Sequence, residues 1–179
     1  MQFQVDFSRS LPAIQSTFSV STRYEYGVSV GAHLTSGSVR DAAGSVGPST
    51  ALFFAWYPAL QHGIRFDFRT DSLSGDHVTD GLLLLPAYEF RSSFSPSVSY
   101  SFGIGAGSYV FIESRDGSLS AKSWALMVRE QLRLKFQLSW FALCPAISLG
   151  ALPGGPFGPR ELSGAFYTAS LELVFGAGP

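Results

Sequence analysis

With 179 residues, 46% of them hydrophobic and only 14% charged, the chain is long enough for one domain and poor in charge. Its mean hydropathy of +0.20 suits a membrane protein, yet no apolar run approaches the roughly 18 residues of a transmembrane helix. A net charge of −1 leaves no basic footprint for nucleic acid, and the single cysteine, Cys144, excludes an internal disulfide and fits no metal-ligand spacing.

Hydrophobicity is spread over alternate positions instead. Phe3, Val5 and Phe7 make a short alternating piece, and residues 1–7 lack the basic start and apolar core of a signal peptide. From Thr17 to His33 one parity reads Thr17, Ser19, Ser21, Arg23, Glu25, Gly27, Ser29, Gly31, His33. The other reads Phe18, Val20, Thr22, Tyr24, Tyr26, Val28, Val30, Ala32. Side chains of a strand point to opposite faces at every residue, so this is one strand with a polar and a greasy face. Its length exceeds the usual globular strand of about 5–6 residues several-fold.

Seven further two-faced segments follow. A long polar loop, Thr35 to Ser49, leads to a second strand over 50–57, apolar on both parities, and Pro58-Ala59-Leu60-Gln61 turns the chain. The third, 62–72, sets Ile64, Phe66, Phe68 against Arg65, Asp67, Arg69, Asp71. After the loop Ser72 to Asp80, the fourth, 81–91, sets Leu82, Leu84, Tyr88, Phe90 against Glu89 and Arg91. Pro86 within it predicts a bulge or break, because a closed sheet has no edge to hide a missing N–H. A turn over 92–96 precedes the fifth, 97–112, in which Tyr100, Phe102 and Ile104 oppose Ser101, Gly103 and Gly105.

Arg115-Asp116-Gly117 is a hairpin signal. The sixth strand, 120–129, and the seventh, 132–144, are expected to meet in a tight turn near Glu130-Gln131. Trp124, Leu126, Val128, Leu132, Leu134, Phe136, Leu138 and Trp140 then face one way, with Arg129, Arg133, Lys135 and Gln137 opposite. On the same parity argument Cys144 faces outward near a strand end, as a small hydrophobe. A loop rich in Pro and Gly runs from Pro145 to Glu161, and the eighth strand, 162–175, sets Tyr167, Leu171, Leu173, Phe175 against Thr168, Ser170, Glu172.

Connections therefore alternate long and short. An even number of strands with long loops at one end and tight turns at the other predicts an all-β fold, an eight-stranded antiparallel up-and-down transmembrane β-barrel over 17–175. Residues 1–16 are then an N-terminal periplasmic segment, residues 176–179 a C-terminal tail, and a natural precursor carries the signal peptide. The greasy parity (Tyr24, Phe66, Phe68, Tyr88, Phe102, Trp140) is too bulky for the narrow interior of eight strands and is expected outside, against lipid. Outward aromatics form two rough girdles, Phe18, Trp56, Phe90, Tyr100 and Phe175 near the periplasmic ends and Trp124, Trp140 and Tyr167 near the other.

The inward parity sorts by height. Arg23, Glu25, Arg65, Asp67, Glu89, Arg91, Arg129, Arg133, Lys135 and Glu172 collect in the periplasmic half, with Arg69 and Asp71 higher. Buried charges must pair, so mixed signs predict a salt-bridge network. Above it, Leu83, Leu85, Tyr109, Phe111, Phe141, Leu143 and Phe166, with Phe53, are expected to form an apolar cup, a shape that serves by default as a ligand pocket. Gly105, facing this lumen, is expected to tolerate Ser.

This pattern resembles the small eight-stranded bacterial outer-membrane proteins, the group that includes OmpW, OmpX and the OmpA membrane domain. Tyr167 to Phe175 is similar to that group's C-terminal assembly signal, although Gly176-Ala177-Gly178-Pro179 follows where the group ends on the aromatic residue. The resemblance implies the outer membrane, membrane lipid as partner and a monomer. Its OmpW-like branch implies a lumen that binds or passes small hydrophobic molecules. Two alternatives stay open: a structural or adhesive protein with a closed charged lumen, acting through loops 35–49 and 145–161, and a soluble lipocalin-like carrier. Barrel lipid A deacylases use adjacent His and Ser, a pair absent around His33, His62 and His77, so no catalytic residue, cofactor or metal is expected and the chain is read as no enzyme.

Overall fold

The computed structural model describes residues 23–74, 80–115, 118–153 and 163–176. Eight strands run in chain order: β1 (Arg23–Gly37), β2 (Val46–Tyr57), β3 (His62–Ser72), β4 (Asp80–Ser95), β5 (Val98–Arg115), β6 (Ser118–Gln137), β7 (Phe141–Leu152) and β8 (Gly164–Gly176), with a short helix α1 (Ser38–Ala43) after β1. Each strand pairs antiparallel with the next, and β8 returns to β1 with Tyr26 opposite Phe175 and Leu34 opposite Tyr167. The sheet closes. The expected segment 1–16, the start of the first strand, the Asp116-Gly117 turn, His77 and the end of the tail lie outside the described residues.

The alternation works as expected on most strands. On β3, Arg65, Asp67, Arg69 and Asp71 are buried inside while Ile64, Phe66 and Phe68 are exposed outside. The loop expected over 35–49 is shorter than that, because strands take both its ends and α1 folds between them. Gly37 (φ 68) and Gly44 (φ 85) flank the helix in the left-handed region that glycine occupies without steric cost. The Thr35 hydroxyl donates to the Gly44 carbonyl, and the Thr35 N–H to Ser45 O at 3.0 Å.

The sixth and seventh strands depart from expectation. No turn occurs at Glu130-Gln131: β6 runs unbroken to Gln137, and the chain reverses at Leu138-Ser139-Trp140. The even positions of β6 stay outward on both sides of Glu130, so one charge in the greasy parity imitates a turn. After the true turn the parity inverts. Ala142, Cys144 and Ala146 point inward, fully or almost fully buried, and Phe141 and Leu143 lie on the outer parity. Cys144 is therefore inside, contrary to the sequence reading, and Trp140 sits at the periplasmic end, stacked on Phe175 with ring centroids 5.6 Å apart. Pro145, expected to open a loop, lies on the outer face of β7 opposite Leu171.

Pro86 produces neither bulge nor break in β4. It pairs in register with Phe66 on one side; toward β5 the ladder lapses between Leu84–Ser108 and Ala87–Gly105 without a register shift. The barrel absorbs one missing donor by a local gap. Opposite the neighbouring Ala87, Gly105 allows close backbone approach: a Cβ there would stand 2.4 Å from the Pro86 carbonyl oxygen and 2.7 Å from Ala87 Cβ. Gly105→Ser is thus no mild change. It should cost about 1–3 kcal/mol, as overpacking does, read from the urea midpoint in vesicles.

Candidate functional site

The lumen is the site, and it has two floors. In the periplasmic half, ion pairs join strands that are not neighbours in the sheet. Glu172 on β8 accepts from both terminal nitrogens of Arg65 on β3 (2.9 and 3.2 Å), from Arg133 Nε on β6 (2.8 Å) and from the Gln131 amide (3.0 Å). Arg133 also donates to Glu89 on β4 at 2.6 Å. Glu25 on β1 takes Arg91 from β4 and Lys135 from β6, at 2.6 and 2.7 Å. These are braces across the barrel.

Arginine stacking fills the remaining space. Arg65 lies 3.8 Å over the Phe53 ring, Arg133 5.3 Å from it, and Arg91 4.2 Å over Tyr57. Such contacts add cation–π attraction where the guanidinium is desolvated. Arg129 is held more loosely, 3.6 Å from Asp67, beside a cavity of about 10 Å3 lined by Ser29, Asp67, Arg129 and Glu172 among others. That space admits one water molecule. Arg23 is half-buried at the periplasmic mouth and makes no ion pair among the described residues; the rest of the expected charge network is present.

Higher up, Arg69 donates to Asp71 at 2.7 Å and to Thr168 at 2.7 Å, and the Tyr109 hydroxyl donates to the other Asp71 oxygen at 3.0 Å. This is the seam between floors. Above it Leu83, Leu85, Tyr109, Phe111 and Phe166 come together as expected, each 0–2% exposed. The Tyr109 ring lies 4.9 Å from that of Phe111 and 5.0 Å from that of Phe166. Val39 of α1, Leu73, Ala87, Met127 and Leu152 complete the cluster.

Three expected members of the cup are elsewhere. Phe141 and Leu143 are on the outer parity of β7 at its periplasmic end, because the turn before them is eight residues later than expected. Phe53 faces inward but belongs to the lower floor with Ala142, Cys144 and Val174, held there by the two arginines. Of the residues the sequence reading missed, Met127 had a signal: it sits on the same parity as Arg129. Val39 had none, since nothing in the loop marks a helix.

The outer surface is the inverse of the interior. Tyr24, Phe66, Tyr88, Phe102, Ile104 and Leu132 are each 44–49% exposed, whereas Arg65, Asp67, Glu89 and Glu172 are at most 2% exposed. In water this arrangement would expose a contiguous apolar belt; in lipid it is the stable one. The soluble-carrier alternative falls here. The chain is a membrane-spanning barrel. Among the described residues no helix is long and apolar enough to cross a membrane.

Solved structures agree on the fold. Neisserial surface protein A (NspA) is similar with a TM-score of 0.71 at 10% identity, over 86% of this chain and 96% of that one. Ail, the attachment invasion locus protein of Yersinia pestis, matches with a TM-score of 0.54 at 12% identity, over 87% and 97%. The N-terminal β-barrel domain of Pseudomonas aeruginosa OprF does so with 0.54 at 10%, over 86% and 97%. No protein-family model and no curated protein matches the sequence. The fold is the small eight-stranded barrel of outer-membrane type.

A lipid-facing position provides a direct check. Phe66→Arg, 46% exposed between Phe54 and Pro86 in the ladders, should destabilise the folded barrel by about 2–4 kcal/mol, the cost of arginine near the bilayer midplane. Equilibrium unfolding in phospholipid vesicles measures it.

Proposed function

We propose that this chain is an outer-membrane protein of the bacterial envelope, a closed non-enzymatic barrel that anchors a binding surface at its extracellular end. The filled lumen carries this reading. Braces from Glu172, Glu89 and Glu25 occupy the lower half, and the cluster under Val39 occupies the upper half. Neither floor offers a solute a straight path. What remains for contact with the outside is the extracellular rim, where residues 38–45 and 153–163 join strands. The likeness to Ail, named for attachment and invasion, supports an adhesive or structural role for such a surface.

The test displays the protein on a non-adherent bacterium and replaces residues 38–45 or 153–163 by Gly-Ser linkers. Attachment to cell monolayers should fall while the amount of folded barrel holds. Purified protein in planar bilayers should pass no steady current. Steady open-channel currents, or attachment that is indifferent to both replacements, would overturn the proposal.

A second reading keeps the upper floor as an OmpW-like site for small hydrophobic molecules. It is favoured by the convergence of Leu83, Leu85, Tyr109, Phe111 and Phe166 from three strands at one height. Entry then requires α1 to lift, because Val39 is fully buried on this cluster. Titration with a hydrophobic fluorescent probe, comparing the natural protein with Phe166→Asp, separates the two readings: saturable binding lost in the variant supports the site, and no binding by either supports the plug.

A further inference from the structure

Arg23 stands at the periplasmic mouth with no anion of its own among the described residues, and its buried Nε has no hydrogen-bond partner. Glu25 shares its face of β1, one pleat repeat or about 7 Å deeper. That carboxylate is already taken, because both Arg91 and Lys135 donate to its Oε1. Arg23, Arg91 and Lys135 thus share the mouth with one acid, Glu25. A guanidinium presents five N–H donors in a fixed fork, and a buried donor left without an acceptor is costly.

The same four side chains line a cavity of about 140 Å3. One water fills about 10–15 Å3 of such space, so the cavity has room for a polyatomic group. On the lumen side its wall is polar: Ser99 lies between Ser93 and Lys135 in the ladders. On the other side the wall is aromatic, formed by the stacked Trp140 and Phe175. The cavity therefore reaches from the lumen to the rim of the barrel. Trp140 is 72% exposed there, at the level where amphipathic rings meet lipid headgroups.

We propose that this mouth binds the phosphate of a net-anionic phospholipid from the periplasmic leaflet. Arg23 takes the phosphate oxygens in its fork, the geometry in which guanidinium groups hold phosphate, and Lys135 adds the two donors that Glu25 does not use. The glycerol and acyl chains leave past Trp140 and Phe175 into the bilayer. A net-negative headgroup offsets the surplus of positive charge, whereas a zwitterionic one brings an ammonium group that the cations repel. Basic pockets in membrane proteins select anionic headgroups on this ground. The chain's net charge of −1 offers no general attraction for such lipids, so the preference rests on the mouth. This site lies at the end of the barrel opposite the extracellular rim, and neither proposal depends on the other.

The experiment reads lipid contact at Trp140, which Trp56→Phe and Trp124→Phe leave as the sole tryptophan. The full chain is folded in phosphatidylcholine vesicles holding a minor fraction of phosphatidylglycerol or phosphatidylcholine with brominated chains. Phosphatidylglycerol should gather beside Trp140 and quench it as if enriched about fivefold over phosphatidylcholine, the worth of one basic residue near anionic lipid. Concentrated salt should weaken this preference. Arg23→Gln should abolish it without lowering the urea midpoint in pure phosphatidylcholine, because Arg23 braces no other strand. Inorganic phosphate is titrated calorimetrically against the same proteins in neutral detergent. Binding of phosphate that Arg23→Gln abolishes, with no lipid preference in vesicles, would assign the mouth to a soluble anion and overturn the lipid site. Equal quenching by the two lipids, or a preference that Arg23→Gln retains, would overturn it as well.

Discussion

Glu172→Ala is expected to lower the unfolding free energy of the barrel in phospholipid vesicles by about 3–5 kcal/mol, the penalty for removing one partner of a buried ion pair. Glu172 is 1% exposed and accepts four hydrogen bonds from Arg65, Arg133 and Gln131. Without it, two guanidinium groups that share the Phe53 ring face one another with no carboxylate between them. Each keeps one other anion, Asp67 for Arg65 and Glu89 for Arg133, so the charges stay held while their mutual repulsion rises. Glu172→Gln retains an acceptor oxygen and should lose less than the Ala variant. Tryptophan fluorescence from Trp56, Trp124 and Trp140 follows the transition. A loss below about 1 kcal/mol, the worth of an exposed pair, would mean that water screens the network, and the same variant should then conduct ions.

The sequence shows the barrel because the rule behind it is local. Alternation is a property of each strand by itself, so β3 is readable to the residue and the inward charges follow from parity. The ion network is legible as a set of residues but not as pairings. Arg65 with Glu172 and Lys135 with Glu25 are separated by 107 and 110 positions and meet only because the sheet closes.

Errors arose where a local signal had two causes. Glu130 breaks the apolar parity of β6 as a turn would, whereas the real turn at Leu138-Ser139-Trp140 contains no glycine, proline or asparagine. Misplacing that turn reversed the facing of everything on β7, since a slip of one residue exchanges the two faces of a strand. Phe141 and Leu143 went outward and Cys144 inward for that one reason. Val39 was illegible for another: a six-residue helix over a barrel mouth is held by what lies beneath it, not by its own periodicity.

Phe111→Ala tests whether the upper floor is a plug or a vestibule. Phe111 is fully buried, its ring 4.9 Å from Tyr109, in a cluster where Leu83 and Leu85 from β4, Met127 from β6 and Phe166 from β8 cannot all move inward together. Truncation should therefore leave an unfilled cavity and cost about 3–5 kcal/mol, as Phe→Ala does in rigid cores. The new space is apolar, and an apolar cavity that neighbours cannot fill stays dry and accepts small hydrocarbons. The variant should consequently gain affinity for a hydrophobic probe that the natural protein lacks, and probe binding should return part of the lost stability by mass action. A vestibule behaves oppositely. If the natural barrel already opens under α1 to admit such molecules, Phe111→Ala removes a binding contact, and saturable binding seen in the natural protein should weaken with little loss in the unfolding midpoint. Parallel titrations and unfolding curves for the two proteins decide between these outcomes, because the plug predicts gained binding with lost stability and the vestibule predicts lost binding with stability retained.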